Sequence, residues 1–389
     1  MNELPQADWT KRSDLAALVA ALGAENIRWV GGAVRDTLLG DDVQDVDAAT
    51  PLTPEIVTKR LNLADIKVIP TGIDHGTVTA VLPGGPVEIT TLRRDVSTDG
   101  RRATIAFAGD WHDDAARRDF TINALYAHPE TREISDFFGG LQDLSDRRVR
   151  FIGDPCERIR EDHLRILRYY RFQARYGSEL DALAEEACAE LAETLKGLSR
   201  ERVAKELLLL LGLPAPYETV SRMSQRGVLQ VILPETGQHE LAVLQQVISG
   251  EAEQNIPPTS LRRLAALLPA KPQIAQAAAT RLRLSRAQRE HLVSAARRDS
   301  DDLTNLRALA YRQGVQRAVD RIMLLGGNIA PLNGWEPPQF PMKGGEIVQR
   351  GVAAGPEVAR ILQAVEARWI DEGFPDRERV EQFLEEELS

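Results

Sequence analysis

The patterns typical of β-strands stop about 155 residues from the start of this chain, and this change restricts its possible folds more than any other feature. Before that point, short runs of β-branched and apolar residues alternate with helical patterns such as Ser13–Leu22. The predicted strands are IRWVGG, VDAAT, KVIPTG, TVTAVL, VEITTL and EISDFF. Beyond it, leucine- and alanine-rich helical patterns are separated by proline-containing segments. The sequence therefore predicts the α+β class, with a mixed β-sheet and helices first and an all-α region after them.

Length and composition exclude several classes of protein. At 389 residues the chain is too long for one core of ordinary size, so we expect two to four structural units. It has no run of apolar residues long enough to span a membrane, and its polar first residues match neither a secretory signal nor a transit peptide. Cys156 and Cys188 are too few for a disulfide framework and form no CxxC pair that would predict structural zinc. We therefore expect a cytoplasmic protein that does not bind membranes.

A basic segment lies inside an acidic protein. The whole chain has a formal net charge of −10, whereas residues 147–175 contain nine arginines and four acidic residues. This distribution favours local contact with phosphate groups over a long nucleic-acid groove. A helix with a solvated charged surface explains the same segment, and charge alone leaves both interpretations open.

Two glycines and two aspartates form the densest chemical signal. Gly31 and Gly32 follow a predicted strand and precede a predicted helix, so their backbone N–H groups can approach a triphosphate closely. Asp45 and Asp47 come next, and in a strand residues i and i+2 point to the same face. Adjacent carboxylates repel each other unless a cation lies between them, and magnesium prefers oxygen ligands and substrate phosphates. A solvated acidic loop is the alternative for this Asp-x-Asp pattern.

Glu88 lies in a third predicted strand between apolar residues, where it would complete a carboxylate triad across the sheet. Three carboxylates that hold two metal ions would let an enzyme deprotonate an attacking 3′-hydroxyl and neutralise the departing pyrophosphate. Considered alone, a glutamate at this place is more often a surface residue of an edge strand.

The segment Arg117–Leu125 carries two arginines followed by residues suited to a ribose. Paired arginines can hold a phosphate through two hydrogen bonds, and Asp119 and Asn123 can bind ribose hydroxyls. If the segment is helical, Asp119 and Asn123 lie on one face, four residues apart. The start of a surface helix explains the same residues.

The segment Glu161–Phe172 combines apolar residues at helical spacing with an acid–base pair. Asp162 and Arg165 are neighbours at i, i+3 on the predicted helix. A carboxylate acceptor beside a guanidinium donor can form hydrogen bonds with the Watson–Crick edge of a base. An ion pair on a helix surface is the plainer explanation.

Together and in this order, the motifs resemble the class II tRNA nucleotidyltransferase and bacterial poly(A) polymerase family. The resemblance covers about residues 28–210 and rests on several motifs with suitable spacing, each of which is weak alone. Two further segments, Asp136–Leu144 and Ser199–Leu207, resemble that family's hinge and its last neck motif. The motifs are Gly31-Gly32-x-Val34-Arg35-Asp36, Asp45-x-Asp47, Glu88-Ile89-Thr90-Thr91-Leu92-Arg93, Arg118-Asp119-x-x-x-Asn123-Ala124-Leu125 and Glu161-Asp162-x-x-Arg165.

The resemblance implies an enzyme that adds C, C and A to the 3′ end of tRNA from CTP and ATP, with Mg²⁺ as cofactor. It implies a nucleotidyltransferase head at residues 1–150, a helical neck that selects the nucleobase at 151–212, and a helical body and tail at 213–389 that bind tRNA. The C-terminal region resembles the family only loosely. The oligomeric state stays open.

The resemblance also implies a role for each motif residue. Asp45 and Asp47 are the implied ligands of the catalytic metal ions, and Glu88 is a supporting catalytic carboxylate. The other implied residues contact the nucleotide. They are Gly31, Gly32 and Arg35 for the triphosphate; Arg118, Asp119 and Asn123 for phosphate and ribose; Asp162 and Arg165 as a protein template for the base, with Glu161 orienting the arginine; and Arg168 in the same nucleotide-binding set.

Four activities occur in this family, namely CCA addition, CC addition, A addition and poly(A) tailing. The segment Arg93–Arg102 resembles the flexible loop that the family needs for the change to ATP, which favours complete CCA addition. The chain ends in an acidic segment, whereas poly(A) polymerases of the family tend to carry a basic extension. Complete CCA addition is therefore the predicted activity, with the other three as alternatives.

Two further classes compete with this prediction. An RNA-binding protein on the same scaffold without activity is disfavoured by the intact carboxylates. A phosphohydrolase is suggested by His112-Asp113, but no companion histidine cluster follows in the helical half. We therefore expect His112-Asp113 to lie in an ordinary loop.

Overall fold

The structure of this protein is a computed structural model in which strands precede a long series of helices. Among the residues it describes, no helix is long and apolar enough to cross a membrane. The described residues are 3–73, 76–98, 103–107, 109–178 and 180–389.

The chain forms two compact units. One comprises Met1–Leu210 with Glu218–Ile232, and the other comprises Leu211–Tyr217 with Leu233–Ser389. The head, neck and body boundaries implied by the motif resemblance stay predictions.

The first unit is built on a mixed β-sheet. Its strands, with those of a separate hairpin, are β1 (Arg28–Val30), β2 (Val46–Thr50), β3 (Lys67–Gly72), β4 (Thr77–Leu82), β5 (Gly85–Thr91), β6 (Arg93–Thr98), β7 (Ala103–Phe107), β8 (Leu125–Ala127) and β9 (Ile134–Asp136). The seven-stranded sheet has the order β3-β4-β5-β2-β1-β8-β9, and β6 and β7 form the hairpin. The β2–β5 pair is parallel, and the other neighbouring pairs in the sheet are antiparallel.

Helices supply the other regular elements of the first unit. They are α1 (Ser13–Leu22), α2 (Gly32–Leu39), α3 (Pro54–Leu63), α4 (Trp111–Ala116), α5 (Gly140–Ser145), α6 (Pro155–Glu161), α7 (Arg165–Tyr176), α8 (Ala182–Glu190), α9 (Arg200–Leu211), α10 (Tyr217–Gln225) and α11 (Val228–Ile232). Together with the mixed sheet, they confirm the predicted α+β class.

Regular structure in the second unit is helical throughout, as predicted for the C-terminal region. Its helices are α12 (Gln238–Glu253), α13 (Ser260–Ala266), α14 (Pro272–Arg281), α15 (Arg286–Ala296), α16 (Leu306–Gln313), α17 (Val315–Leu324), α18 (Gly344–Gln349), α19 (Pro356–Asp371) and α20 (Arg377–Leu388).

The second unit encloses charged side chains as well as apolar ones. Arg262 is buried, and it donates to Asp320 Oδ1 at 2.7 Å and to Glu251 Oε1 at 2.6 Å. Arg263 donates to the other oxygen of Glu251 at 2.8 Å. These bonds join α12, α13 and α17. Since an unpaired buried charge is strongly destabilising, the members of this group depend on one another.

Two glycines of the first unit lie where a larger residue does not fit. Gly31 links β1 to α2 with φ of 69°, in the region that favours glycine. Gly140 begins α5, and a Cβ there would lie 2.3 Å from the carbonyl oxygen of Thr121. Gly31 therefore permits a sharp turn from β1 into α2, and Gly140 permits close packing of α5 against the backbone of Thr121.

Several strand predictions hold with unchanged bounds, since β2, β3 and β4 coincide with VDAAT, KVIPTG and TVTAVL. The EISDFF strand is shorter than predicted and ends at Asp136. Its carboxylate accepts hydrogen bonds from the N–H groups of Phe138, Gly140 and Leu141, which turns the chain into α5.

The prediction that His112-Asp113 lies in a loop is wrong. Both residues belong to α4, a short helix that begins at Trp111. The Asp110 carboxylate caps this helix by accepting a hydrogen bond from the His112 N–H at 3.0 Å.

Candidate active site

Three carboxylates of the sheet region form the first part of the candidate site. Asp47 in β2 is the register partner of Glu88 in the parallel strand β5, so both side chains point to the same face. Asp45 precedes β2 by one residue and is exposed. Val46 and Ala48 are buried while Asp47 is partly exposed, which is the alternation expected of a strand. We call Asp45, Asp47 and Glu88 the carboxylate cluster.

The protonation of Asp47 reflects the excess negative charge of the cluster. Partial burial raises the pKa of Asp47 to about 6, and the negative charges of Glu88 and Asp45 act in the same direction. Arg118 lowers the pKa of Asp47 without cancelling these effects. Ionised Asp47 is therefore incompletely compensated by the chain itself.

A closed three-ligand metal site is not assembled around these residues. In the part of the chain that the structure describes, no group of three or more histidine, cysteine, aspartate or glutamate side chains is arranged to hold a metal ion.

The glycine turn lies beside the carboxylate cluster. Val30, the last residue of β1, is the register partner of Asp47, and Gly31 and Gly32 follow it directly. A Cβ on Gly31 would lie 3.7 Å from Nη1 of Arg118. The N-terminus of α2 therefore begins close to the carboxylates, which suits a bound triphosphate.

Arg35 of α2 is buried, and its donors are engaged inside the protein. Its Nε donates to Asp36 Oδ1 at 2.8 Å, and its Nη1 donates to Asn123 Oδ1 at 2.5 Å. Its Cζ atom also lies 4.2 Å from the centre of the Tyr176 ring and 5.3 Å from that of Phe172. In this structure Arg35 fixes α2 against α7, and its predicted contact with a triphosphate stays a prediction.

Arg118 is held by two side chains that the motif analysis did not single out. Its Nε donates to the hydroxyl of Tyr126 at 2.9 Å, and its Nη2 donates to Asp114 Oδ2 at 3.2 Å. Burial would raise the pKa of Asp114, but Arg118 and Arg117 outweigh it and lower the pKa to about 2. Asp114 lies in α4, three and four residues before the two arginines that follow this helix, and that spacing was the sequence signal for the contact.

Asp119 and Asn123 are brought together, although not by an α-helix. The segment forms a 3₁₀ turn, Thr121–Asn123, and Asn123 Nδ2 donates to Asp119 Oδ1 at 2.9 Å. Arg168 Nε donates to the other oxygen of Asp119 at 2.8 Å. Burial would raise the pKa of Asp119, but Arg168 outweighs it, and the pKa falls to about 2. Asp119 is therefore an anchor between the sheet region and α7 in this structure.

The prediction of one helix carrying Glu161, Asp162 and Arg165 is wrong. α6 ends at Glu161, α7 begins at Arg165, and Asp162 between them has extended backbone angles. The cause is local, because Asp162 Oδ1 accepts a hydrogen bond from the Leu164 N–H at 3.1 Å and thereby stabilises a turn. The candidate base-selecting residues therefore lie at a junction between two helices.

Asp162 and Arg165 have different partners at this junction. Asp162 Oδ2 accepts a hydrogen bond from Nη2 of Arg202 in α9 at 2.8 Å. Arg165 Nη1 donates to Glu161 Oε2 at 2.6 Å, and its Nη2 donates to the carbonyl oxygen of Arg117 at 3.0 Å. Glu161 is thus placed to orient Arg165, as the motif resemblance implies. The contact of Asp162 with Arg202, across a separation of 40 residues, was not found from the sequence.

The segment predicted as a flexible loop is in part a strand. Its first residues, Arg93–Thr98, form β6 and pair with β7. The Arg93 N–H donates to Asp114 Oδ1 at 3.2 Å, so the hairpin begins at the carboxylate that also holds Arg118. Residues 99–102, which contain the rest of the predicted loop, lie outside the described residues.

The fold and these contacts define a class of enzyme. Residues 27–150 match the family model described as the poly A polymerase head domain. Residues 179–239 match the model described as a probable RNA and SrmB-binding site of polymerase A. The region that matches this head domain contains a mixed sheet with carboxylates beside a glycine turn. These features together define a nucleotidyltransferase.

Comparison with individual proteins narrows the class to one family. The chain is 33% identical over 384 residues to the CCA tRNA nucleotidyltransferase 1, mitochondrial, of Mus musculus, which covers 92% of this chain and 87% of the relative. It is 32% identical to the CCA-adding enzyme of Streptococcus gordonii, with 92% of both chains covered. The crystal structure of the Bacillus stearothermophilus CCA-adding enzyme in complex with CTP is similar with a TM-score of 0.74 and 25% identity, over 96% of both chains.

This chain belongs to the family of CCA-adding tRNA nucleotidyltransferases, which confirms the family predicted from its motifs. Enzymes of this family generally use a divalent metal ion.

Proposed function

We propose that this protein adds C, C and A in turn to the 3′ end of tRNA, with CTP and ATP as substrates, no nucleic-acid template, and release of pyrophosphate. The observation that carries the proposal is the carboxylate cluster, in which Asp47 lies beside the glycine turn that begins α2. The names of the relatives, which are similar over nearly the whole chain, support the choice of tRNA and of the CCA sequence.

We propose Asp45 and Asp47 as ligands of Mg²⁺. The fit is good because this ion prefers oxygen ligands, keeps several waters and completes its shell with substrate phosphates, so that one or two protein carboxylates suffice. Glu88 adds negative charge beside Asp47, which favours a bound cation without Glu88 having to be a ligand. When bound, the metal supplies stabilisation of the negative charge that develops on the transferred phosphoryl group and the departing pyrophosphate.

The remaining roles follow from the positions of the side chains. The backbone N–H group of Gly32 binds the triphosphate at the start of α2. The N–H group of Gly31, which was predicted to do the same, donates to the carbonyl oxygen of Leu125 at 3.4 Å, so Gly31 contributes the turn itself. Arg118, next to the glycine turn and close enough to Asp47 to lower its pKa, would provide positive charge for the triphosphate. Asp119 and Asn123 keep the predicted role at the ribose, with Arg168 holding Asp119 in place.

Base selection is proposed for the junction between α6 and α7. The Asp162 carboxylate and the Arg165 guanidinium are both partly exposed, and each has a partner that restricts its orientation. A fixed acceptor and a fixed donor can distinguish C and A from U and G through their Watson–Crick edges. A cytoplasmic location remains a prediction, because the vertebrate relatives are named as mitochondrial.

One experiment tests the proposed activity. The protein is incubated with a tRNA that lacks its terminal CCA, with Mg²⁺ and with each NTP singly and in combination, and the 3′ ends are sequenced. The proposal predicts CC ends with CTP alone and CCA ends with CTP and ATP. Tails of A with ATP alone would assign poly(A) polymerase activity, and no extension under any condition would assign an RNA-binding protein without activity.

A further inference from the structure

The C-terminal end of α7 contacts the helix that follows the glycine turn. Tyr176, the last residue of α7, is buried and donates its hydroxyl hydrogen to Asp36 Oδ1 at 3.0 Å. Nη2 of Arg175 lies 3.6 Å from the other oxygen of Asp36. Two consecutive residues of α7 therefore contact one carboxylate of α2, one helical turn beyond Gly32.

The ring of Tyr176 acts on a second residue of the same motif. It lies under the guanidinium of Arg35, with Cζ of Arg35 4.2 Å from the ring centre. Arg35 also donates to the Asp36 oxygen that accepts the Tyr176 hydroxyl. Both contacts are buried, where a stacked cation and a hydrogen bond to a carboxylate are stronger than at an exposed surface.

Another tyrosine of α7 shows that burial on this helix does not require such a contact. Tyr170 is buried, but among the described residues its hydroxyl has no hydrogen-bond partner. The hydroxyl of Tyr176 is therefore distinguished by its carboxylate acceptor. Tyr170 supplies a matched control for its removal.

We infer that Tyr176 is a positioning residue for the triphosphate part of the active site, an inference that rests on the proposed function. Tyr176 and the base-selecting Arg165 are the last and first residues of α7, about 16 Å apart along the helix axis. By holding Arg35 and Asp36, Tyr176 keeps α2 at a constant position relative to that helix. The triphosphate and the base of one nucleotide are thereby bound at a defined separation.

This role has a specific consequence. Loss of the Tyr176 hydroxyl loosens α2 and the N–H groups at its start, so binding of the triphosphate weakens. The choice of base is unaffected, because Arg165 begins α7, Asp162 lies just before it, and both keep their own partners, Glu161 and Arg202. The affinities for CTP and ATP therefore fall by the same factor.

The test compares Tyr176→Phe with Tyr170→Phe, since each variant removes one hydroxyl from a buried ring of the same helix. The measurements are the inhibition constant of inorganic tripolyphosphate against CTP incorporation, the KM and kcat for CTP and ATP, and the melting temperature. Tyr176→Phe should raise the inhibition constant and both KM values by roughly three- to tenfold. Its kcat should stay within about twofold of wild type, and Tyr170→Phe should match wild type.

Arg175→Gln provides a second measurement if Tyr176→Phe does not fold, because Arg175 is exposed and lies near the other oxygen of the Asp36 carboxylate. It should raise the same constants by a smaller factor. An unchanged inhibition constant in the variant measured overturns the inference. A lower kcat and melting temperature with unchanged tripolyphosphate inhibition also overturns it, since the role is then only structural. A wild-type protein that incorporates neither nucleotide contradicts the proposed function instead.

Discussion

The carboxylates of the first unit occur in two contrasting environments. Asp114 and Asp119 are the more deeply buried, yet arginine partners lower the pKa of each to about 2. Asp47 is more exposed, but burial and two neighbouring acids raise its pKa to about 6. Burial raises the pKa of all three carboxylates, so the difference between them follows from the charge of their neighbours. A carboxylate that is compensated within the chain is fixed in position and stabilises the fold, whereas one that is not compensated is suited to binding a cation from outside.

The largest expected effect is a loss of activity on substitution of Asp47 or its neighbour Asp45. Asp45→Ala or Asp47→Ala should lower the single-turnover rate of CTP incorporation at least about a hundredfold, because metal positioning supplies much of the transition-state stabilisation. The chain should stay folded. Asp42→Asn, an exposed acid before the same strand, is the control and should retain the wild-type rate. A rate above about a tenth of wild type in either alanine variant breaks the assignment.

Substitution of Asp119, whose charge is compensated by Arg168, should lower the stability of the protein. Asp119→Asn leaves Arg168 and Asn123 without their charged partner, so the free energy of unfolding at pH 7 should fall by about 2–4 kcal/mol. The measurement is urea denaturation followed by circular dichroism. A variant as stable as wild type would show that the hydrogen bonds and ion pair of Asp119 do not stabilise the fold, and the proposed difference from Asp47 would fail.

The loss of stability in Asp119→Asn should depend on pH. The pKa of Asp119 is about 2 in the folded protein and 3.8 in its unperturbed state, so the folded state binds fewer protons between these values. The stabilisation by Asp119 is therefore present above about pH 4 and is lost as the pH falls towards 2. The difference between wild type and Asp119→Asn should shrink over that interval, and a difference that is constant with pH contradicts the pairing.

Asp162 is an intermediate case, because its arginine partner is half exposed. Asp162→Ala or Arg165→Ala should reduce discrimination among the four NTPs by roughly ten- to a thousandfold, since an unpaired recognition group no longer rejects the wrong base. Arg202→Gln removes only the support of Asp162 and should reduce discrimination by roughly two- to fivefold. The measurement is kcat/KM for each NTP on tRNA ending in C or CC. Unchanged preference in both alanine variants refutes the template role.

The sequence predicted those parts of the fold that local patterns determine. The bounds of β2 and β4 follow from short runs of β-branched and apolar residues, and the Asp47–Glu88 pairing agrees with two strands of the same sheet. The interruption of the helix at Asp162 was missed because the helical pattern of apolar residues continues through this position. The Asp162 side chain accepts a hydrogen bond from the backbone and thereby favours a turn over a helix. The Asp162–Arg202 contact was missed because it joins distant segments, and such contacts depend on packing that no local pattern encodes.

The chain leaves the charge of Asp47 incompletely compensated, and one measurement tests this directly. The pKa of Asp47 is about 6 in the folded protein and 3.8 in its unperturbed state, so the folded state binds more protons between these values, and stability falls as the pH rises through about 6. In EDTA at pH 7.5, Asp47→Asn should therefore have a free energy of unfolding about 1–3 kcal/mol greater than wild type, and the gain should vanish near pH 4. An Asp47→Asn protein that is less stable than wild type at every pH would contradict the account.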